Sequence, residues 1–315
     1  MIDLAEIRAA AQRIAGKIHR TPLLSSLQLA GPNRVRLHLK CENFQKTGSF
    51  KARGALNKIL SLSAEERGRG LVTVSAGNHA AAVAWAARIA GCSAVVVMPV
   101  DAPKSKIDAV RGYGAEIVAH PDRATLFDKL EELRVARGLT FVHPFDDAVV
   151  LAGAGTVGLE IAEDLADVEL VIVPVGGGGL MSGVASAMKQ MNPRVRVVAV
   201  ELEAGPGLGP SLSAGKPIPV KRPDTIADGM TPPFVGALPL AIAREAIDEI
   251  VTVTEAEIVD AMKLLMTRAK LYVEGSGAAA TAALLSGKVS ARQGERTIAI
   301  VSGGNVDLAR VAALV

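Results

Sequence analysis

A lysine at the start of a predicted helix is the residue of this chain best suited to covalent chemistry. Lys51 follows a strand pattern at residues 35–39 and a turn, Thr47-Gly48-Ser49, in which Ser49 is a typical helix-capping residue. In the first turn of a helix, unpaired backbone N–H groups and the nearby Arg53 would both disfavour the ammonium form and lower the pKa of Lys51. An amine with a lowered pKa is a nucleophile for carbonyl carbon. The alternative is an ordinary solvated lysine, which is the commoner case. Motifs elsewhere in the chain are needed to choose between the two interpretations.

A run of four glycines forms the second candidate site. It follows a buried strand pattern and precedes a predicted helix. Glycine N–H groups can close around a phosphate at the positive end of a helix, and a simple turn would need only one or two glycines. No Walker lysine follows the run. We therefore predict an anion site formed by Gly176, Gly177, Gly178, Gly179 and Leu180.

A dinucleotide site is the main alternative for this run. Gly177, Gly179 and Ser182 nearly fit the dinucleotide fingerprint, and Glu201 ends the next strand, where a ribose-binding acid would be expected. That interpretation predicts a nicotinamide-dependent oxidoreductase. A literal Gly-x-Gly-x-x-Gly also occurs at Gly153, Gly155 and Gly158. No clear strand precedes it, so close helix packing is the preferred interpretation of these glycines.

Two further junctions between a strand and a helix carry polar groups. The N–H groups at residues 75–79 could bind a carboxylate, and Asn78 could donate to a phenolate-like oxygen. Ser302 offers one hydroxyl that can donate to a ring nitrogen. Alone, each junction is an ordinary helix cap. Together with Lys51 and the glycines they match pyridoxal phosphate, which has an aldehyde, a phosphate, a phenolic oxygen and a ring nitrogen.

Composition limits the class of protein. Half of the 315 residues are apolar and 21% are charged, which predicts a large buried core. A net charge of +3, scattered basic residues and 3% aromatic residues argue against nucleic-acid binding. No membrane span or signal peptide is recognisable, and Cys41 and Cys92 fit no disulfide or metal pattern, so we expect a soluble cytoplasmic protein. Alternating strand and helix patterns predict an α/β fold with doubly wound, mostly parallel sheets.

Four segments resemble the signatures of the tryptophan-synthase β (fold type II) pyridoxal enzymes, especially the threonine/serine dehydratase and serine racemase group. They are residues 40–54, 75–79, 176–180 and 302–307, and the likeness extends over nearly the whole chain. The resemblance implies that Lys51 is the Schiff-base lysine and that Phe50 lies beside the cofactor ring. It implies that Asn78 contacts the 3-oxygen of the ring and that residues 176–180 bind the phosphate. Ser302 would contact the pyridine nitrogen. The substrate carboxylate would be held by Ser75, Ala76, Gly77, Asn78 and His79.

The resemblance also implies an organisation. A large cofactor-binding domain would comprise residues 1–61 and 148–315, and a small mobile domain residues 62–147. Relatives hold a divalent cation, for which Glu201, Gly205 and Gly207 occupy the corresponding positions, although Gly207 lacks a carboxylate; a monovalent ion or none is an equal alternative. We expect a homodimer or homotetramer and, since little chain follows Asp307, no regulatory domain.

The predicted activity is dehydration and deamination of L-threonine and L-serine. Racemisation needs a second acid or base on the opposite face of Cα; racemases of the group have a serine there, and this chain has Ala76. Departures at Ala81, Ala154 and Gly275 leave another 3-hydroxy amino acid open, such as phenylserine or 3-hydroxyaspartate. A serine racemase and a non-catalytic amino-acid-binding protein are further alternatives.

Overall fold

Strands and helices alternate along residues 1–314, the part of the chain that the computed structural model describes. Short runs of β-branched residues form the central strands, and alanine-rich stretches form the helices between them. The strands are β1 (Leu23–Ser25), β2 (Arg36–Cys41), β3 (Leu71–Val74), β4 (Ala94–Pro99), β5 (Glu116–His120), β6 (Thr140–Phe141), β7 (Leu170–Pro174), β8 (Arg196–Leu202), β9 (Glu249–Val253) and β10 (Arg296–Val301). The first helices are α1 (Leu4–Ile14), α2 (Lys51–Ser61), α3 (Ala64–Gly68), α4 (Asn78–Ala90), α5 (Lys104–Gly112), α6 (Leu126–Arg137) and α7 (Ala148–Asp164). The remaining helices are α8 (Gly179–Met191), α9 (Leu208–Ala214), α10 (Ala237–Ala246), α11 (Glu255–Arg268), α12 (Gly275–Leu285) and α13 (Leu308–Ala312).

The larger sheet has six strands in the order β1-β2-β10-β7-β8-β9. All neighbouring pairs are parallel except β1 with β2. Alternate residues of β7 point to opposite faces, so Val171 and Val173 pack in one apolar core while Leu170 and Ile172 pack in the other. Helices α7 and α8 cover the first face, and α11 and α12 cover the second. The predicted doubly wound, mostly parallel architecture is therefore present.

The smaller sheet has four parallel strands in the order β5-β4-β3-β6. All of them lie within residues 62–147, the range predicted for the small domain. Helix α2 lies outside that range, yet it shares a hydrophobic cluster with α4 through Ala52, Ala55 and Leu56 on one helix and Ala82 and Val83 on the other. The exact domain boundary and the mobility of the small domain stay predictions.

Some elements were not predicted from the sequence. They are the edge strands β1 and β9 and the helices α3 and α10, of which β1 and α3 have only three and five residues. The glycine- and proline-rich stretch 202–231, predicted as a long surface excursion, contains α9 and a short 3₁₀ helix, Asp228–Met230. Within residues 1–314, every helix is too short or too polar to cross a membrane.

Candidate active site

The predicted strand-to-helix junctions converge on one cavity. It encloses about 530 Å³ and lies where the carboxyl ends of strands from both sheets meet. Lys51, Asn78 and Ser302 line it, together with the whole glycine run. The structure thus brings together side chains that are far apart in sequence, as the match to a single ligand required.

Lys51 is the first residue of α2, as predicted, but the cap differs from the prediction. Ser49 does not cap the helix; it forms an isolated bridge with Gly303. The Lys51 ammonium nitrogen, Nζ, donates to the carbonyl oxygen of Pro144 at 2.7 Å and lies 5.1 Å from the centre of the Phe50 ring. Burial lowers the pKa of Lys51 from 10.5 to about 8. Phe50 thus lies beside the reactive amine, in the cavity wall.

Arg53 does not contribute to this lowered pKa, contrary to the sequence-based reasoning. Its guanidinium group points away from the cavity into a buried ion network. It forms two hydrogen bonds to Glu42, each of 2.8 Å, and two to Glu160, of 2.6 and 2.9 Å. Lys40 also donates to Glu160, at 2.6 Å. Two carboxylates thereby neutralise two cations, and desolvation remains the cause of the low pKa of Lys51.

The glycine run forms the turn between β7 and α8, and packing or backbone conformation requires glycine at positions 176, 177 and 178. A Cβ at Gly177 would lie 2.3 Å from the Phe145 ring, and one at Gly176 would lie 2.8 Å from the carbonyl oxygen of Gly229. Gly178 has a φ of 91°. The N–H groups of the first turn of α8, from Gly179 and Leu180 onward, have no acceptors within the helix. This cradle can accept a phosphate, but the number of glycines reflects close packing as well.

Asn78 is the first residue of α4, after Gly77, whose N–H donates to the Ser75 hydroxyl at 3.1 Å. Its side-chain nitrogen, Nδ2, donates to Glu274 at 2.6 Å, and its oxygen, Oδ1, accepts from Asn305 at 2.8 Å. One Nδ2 hydrogen remains for a ligand in the cavity. The N–H groups of the first turn of α4 have no acceptor within the helix, whereas the N–H group of Ser75 donates to the Val97 carbonyl oxygen at 3.2 Å and that of Gly77 to Ser75. The carboxylate site at residues 75–79 stays a prediction, with the helix start as its best-supported part.

Ser302 and Ala76 complete the predicted set. Ser302 is buried at the end of β10 and donates its hydroxyl hydrogen to the carbonyl oxygen of Ser276 at 3.2 Å. To donate to a ring nitrogen it would have to leave that carbonyl. Ala76 lines the cavity and contributes no titratable group.

The two histidines beside the cavity have structural surroundings. His79 is buried, its Nε2 lies 3.2 Å from the Val142 carbonyl oxygen, and burial together with the charge of Lys51 holds its pKa well below the usual value. His143 Nδ1 accepts from the N–H groups of Phe145 and Asp146, at 3.2 and 2.8 Å. Burial also lowers the pKa of His143. Both rings are neutral at physiological pH, and His143 shapes the loop that carries Pro144.

The structure gives Glu201 a role other than the one predicted. Both of its carboxylate oxygens accept backbone N–H groups at the start of α9, from Gly207 at 2.7 Å, Leu208 at 2.5 Å and Gly209 at 2.9 Å. Gly207 is therefore a donor here, and Gly205 packs against Pro223. Among the described residues no cluster of three acidic, histidine or cysteine side chains could hold a metal. The structure therefore gives no support to the cation site at Glu201, Gly205 and Gly207. The same three hydrogen bonds use the Glu201 carboxylate oxygens that a ribose would need.

The second glycine pattern is a packing feature, as preferred from the sequence. Gly153, Gly155 and Gly158 lie inside α7. A Cβ at Gly153 would lie 2.7 Å from the backbone of α2, and one at Gly158 would lie 2.8 Å from the Val184 carbonyl oxygen of α8. The three glycines let these helices approach closely.

Several cavity residues had no role in the sequence analysis. Glu274, Lys106 and Asp228 form part of the wall, and Pro144 and Phe145 contact Lys51 and the glycine run. Neither the spacing nor the types of these residues indicate a contact with Asn78 or Lys51.

The groups that line the cavity fit pyridoxal phosphate. An amine with a lowered pKa suits the aldehyde, a glycine cradle at a helix start suits the phosphate, and an amide N–H suits the phenolic oxygen. The Ser302 hydroxyl completes the set of donors.

Comparisons with known proteins agree with this chemistry. Residues 14–303 match the family model described as "Pyridoxal-phosphate dependent enzyme". The chain is 46% identical over 312 residues to an L-threonine ammonia-lyase of Thermotoga maritima, covering 98% of this chain and 77% of the relative. It is 45% identical to a catabolic L-threonine dehydratase of Escherichia coli K12, covering 98% of this chain and 95% of that protein. The structure of maize serine racemase superimposes with a TM-score of 0.94 at 40% identity, covering 99% of this chain and 96% of that one.

These matches confirm the predicted family, fold type and cofactor, and they leave the nicotinamide-dependent alternative without support. The individual site residues stay predictions, because the comparisons identify no residue of this chain as a ligand. The chain belongs to the pyridoxal-phosphate-dependent enzymes.

Proposed function

We propose that this protein is an ammonia-lyase that converts L-threonine to 2-oxobutanoate and L-serine to pyruvate, with release of ammonia. One observation carries the choice of reaction: Lys51 is a cavity-lining base with a pKa of about 8, and Ala76 stands where a racemase would need a second one. The relatives named as threonine ammonia-lyase and threonine dehydratase support the choice of substrate.

The cofactor, when bound, withdraws electrons from Cα of the amino acid and so makes its proton acidic. In this proposal Lys51 would hold its aldehyde carbon covalently between turnovers. The N–H groups of residues 176–180 would hold the phosphate of the cofactor. Asn78 would donate to its 3-oxygen, and Ser302 would contact its ring nitrogen. Phe50 would lie beside its ring.

Lys51 moves the protons in this mechanism. While substrate occupied the cofactor, the Lys51 amine would be free, and a pKa of about 8 leaves a useful fraction of it unprotonated near neutral pH. The carbonyl oxygen of Pro144, 2.7 Å away, fixes Nζ toward the cavity. Nζ takes the Cα proton and can deliver one to the departing β-hydroxyl group. The N–H groups at residues 75–79 hold the substrate carboxylate during these steps.

Ser302 biases the outcome toward elimination. A hydroxyl, unlike a carboxylate, does not keep the ring nitrogen protonated, so negative charge on Cα is stabilised less. Prompt loss of the β-hydroxyl group is then favoured over slow reprotonation. The Ala76 side chain cannot donate a proton to the opposite face of Cα.

A panel of 3-hydroxy amino acids tests the proposal. We expect 2-oxobutanoate from L-threonine and pyruvate from L-serine, measured by reduction of the oxo acid in a coupled assay. Formation of D-serine without pyruvate would favour the racemase, and oxo acid from phenylserine or 3-hydroxyaspartate alone would change the substrate. Lys51→Ala should be folded and inactive; turnover at the parent's rate would contradict the mechanism.

The assembly and the compartment belong to the same proposal. We expect a homodimer or homotetramer in the cytoplasm, without nucleic-acid or membrane partners. Cys41 and Cys92 are both unpaired among the described residues, which suits a reducing compartment. Light scattering on the purified protein measures the assembly, and a stable monomer would refute that part.

A further inference from the structure

Glu274 is a buried carboxylate at the cavity wall that the mechanism above does not use. The residue is 4% exposed, and it immediately precedes α12. Its Oε1 accepts from Asn78 Nδ2 at 2.6 Å, and the backbone N–H of Asn305 also faces the carboxylate. A carboxylate buried to this extent requires such partners.

This contact determines which way the Asn78 amide faces. An ionised carboxylate only accepts hydrogen bonds, so Nδ2 has to face Glu274 and Oδ1 has to face the other way. Oδ1 indeed accepts from Asn305, which is anchored in turn to the Thr47 carbonyl oxygen at 2.7 Å. A flipped amide would set two oxygens against each other at Glu274 and two nitrogens against each other at Asn305. One Nδ2 hydrogen is thereby reserved for the cavity.

The charge of Glu274 depends on residues from two other elements. Lys106 of α5 and Asp228 of the 3₁₀ helix Asp228–Met230 form an ion pair beside it. Lys106 Nζ lies 3.7 Å from where a Cβ at Gly77 would be, so the pair also borders the start of α4. Lys106, Asp228 and Glu274 separate the main cavity from a second pocket of about 30 Å³, which Asp307 and Arg310 line from the other side.

Burial and the negative charge of Asp228 raise the pKa of Glu274 to about 7, while Lys106 and the hydrogen bond from Asn78 act in the opposite direction. The carboxylate is therefore poised near neutrality. As the pH falls through 7 it gains a proton and becomes able to donate as well as accept, so one of the two contacts that orient the amide loses its preference and only the contact with Asn305 keeps it.

We propose that Glu274 is a positioning residue that fixes the Asn78 amide toward the cofactor oxygen, and that Lys106 keeps its carboxylate ionised. The inference rests on the proposed function only in that Asn78 contacts the cofactor. It adds an acidic limit to the reaction: below about pH 7 Glu274 no longer holds the donor to the 3-oxygen as an ionised acceptor, and the Asn305 contact alone orients the Asn78 amide.

Two substitutions separate the geometry of Glu274 from its charge. Glu274→Gln keeps an acceptor oxygen at the same place, and Glu274→Ala removes it. We expect Glu274→Ala to weaken binding of added pyridoxal phosphate about tenfold, as for loss of a charged hydrogen-bond partner. Glu274→Gln should keep most of the affinity but lose the change in cofactor absorbance that we expect for the parent near pH 7. Parental affinity in the alanine variant, or an unchanged titration in the glutamine variant, would overturn the proposal; if the alanine variant does not fold, the glutamine variant decides.

Lys106→Met tests the second half, with Lys104→Met as its control. Lys104 is on the same helix but pairs with Asp108, and its side chain is 87% exposed. Removing the Lys106 charge leaves Asp228 unopposed, so the absorbance midpoint should move to higher pH; in Lys104→Met it should stay at the parental value. Equal midpoints in the two variants would refute the role of Lys106. All these readouts are spectra of the bound cofactor, so a protein that shows them without releasing oxo acid contradicts the proposed function alone.

Discussion

Replacing Lys51 by methionine should make the cofactor-free protein more stable while abolishing its activity. The side chain is half-buried, and burial lowers its pKa from 10.5 to about 8. One pKa unit corresponds to about 1.4 kcal/mol, so ionising this amine costs roughly 3 kcal/mol more in the folded protein than in the unfolded chain. Methionine has a similar length and carries no such cost. Loss of the hydrogen bond to Pro144 lowers the stability of the variant by about 1 kcal/mol and so offsets part of this gain.

The expected net gain of roughly 2 kcal/mol depends on pH in a defined direction. The pKa of Lys51 is lower in the folded state, so the cost is complete below the folded value of about 8 and disappears as the pH rises through 10.5. The variant should therefore have its largest advantage near neutral pH. At high pH the amine is neutral in both states and only the lost hydrogen bond remains.

Urea unfolding of both cofactor-free proteins at about pH 7 and about pH 10 measures the effect as a difference in the free energy of unfolding. Lys104→Met, on the exposed face of α5, is the control and should show no comparable pH dependence. An advantage that is absent near neutral pH, or that does not shrink toward pH 10, would refute the assignment of a buried, easily deprotonated amine.

Three further substitutions test other parts of the site and its support. Ala76→Ser should give the enzyme measurable serine racemisation, detected as D-serine; an unchanged stereochemical outcome would contradict the opposite-face argument. Gly177→Ala would place a Cβ 2.3 Å from an aromatic ring, so binding of pyridoxal phosphate should weaken about tenfold or more, whereas Gly112→Ala, with open space around it, should bind normally. Arg53→Met leaves the buried Glu42 without a cation and Glu160 with Lys40 alone, and it should lower the free energy of unfolding by about 3–5 kcal/mol in urea. Arg69→Ala, from an exposed ion pair, should change it little, and equal losses in the two arginine variants would argue against a buried network.

The sequence was sufficient to predict the architecture and the main groups of the site. Hydrophobic runs such as Leu71–Val74 and the junctions that follow them are local signals, and parallel sheets bring such junctions to one edge. Lys51, Asn78 and Ser302 could therefore be assigned to one site from residue types and spacing alone.

Contacts between distant residues could not be predicted in this way. Arg53 is close to Lys51 in sequence, but its partner Glu160 lies on α7, which turns the guanidinium group away from the cavity. Glu274 carries no local pattern, and its contact with Asn78 joins residues 196 positions apart. The Glu201 carboxylate was assigned from its place at a strand end, whereas its partners lie at the start of the short helix α9.

Helix α2 is held differently on its two sides. Toward α7 the backbones touch: a Cβ at Gly153 would lie 2.7 Å from the Cα of Gly54. Toward α4 the shared apolar cluster includes alanines on both helices, beside larger side chains such as Leu56 and Val83. Alanines form shallow ridges, so we expect this second interface to resist sliding less than the first.

If the small domain moves as predicted, the two interfaces of α2 decide which parts of the site move with it. A shearing displacement of the smaller sheet along the alanine surface would carry the carboxylate cradle at residues 75–79 with it. We expect Lys51 to stay in register with the phosphate cradle, because the backbones of α2 and α7 are in close contact. The substrate would then move toward a stationary Lys51 amine. The close contact between Gly54 and Gly153 would keep the position of that amine constant from one closure to the next.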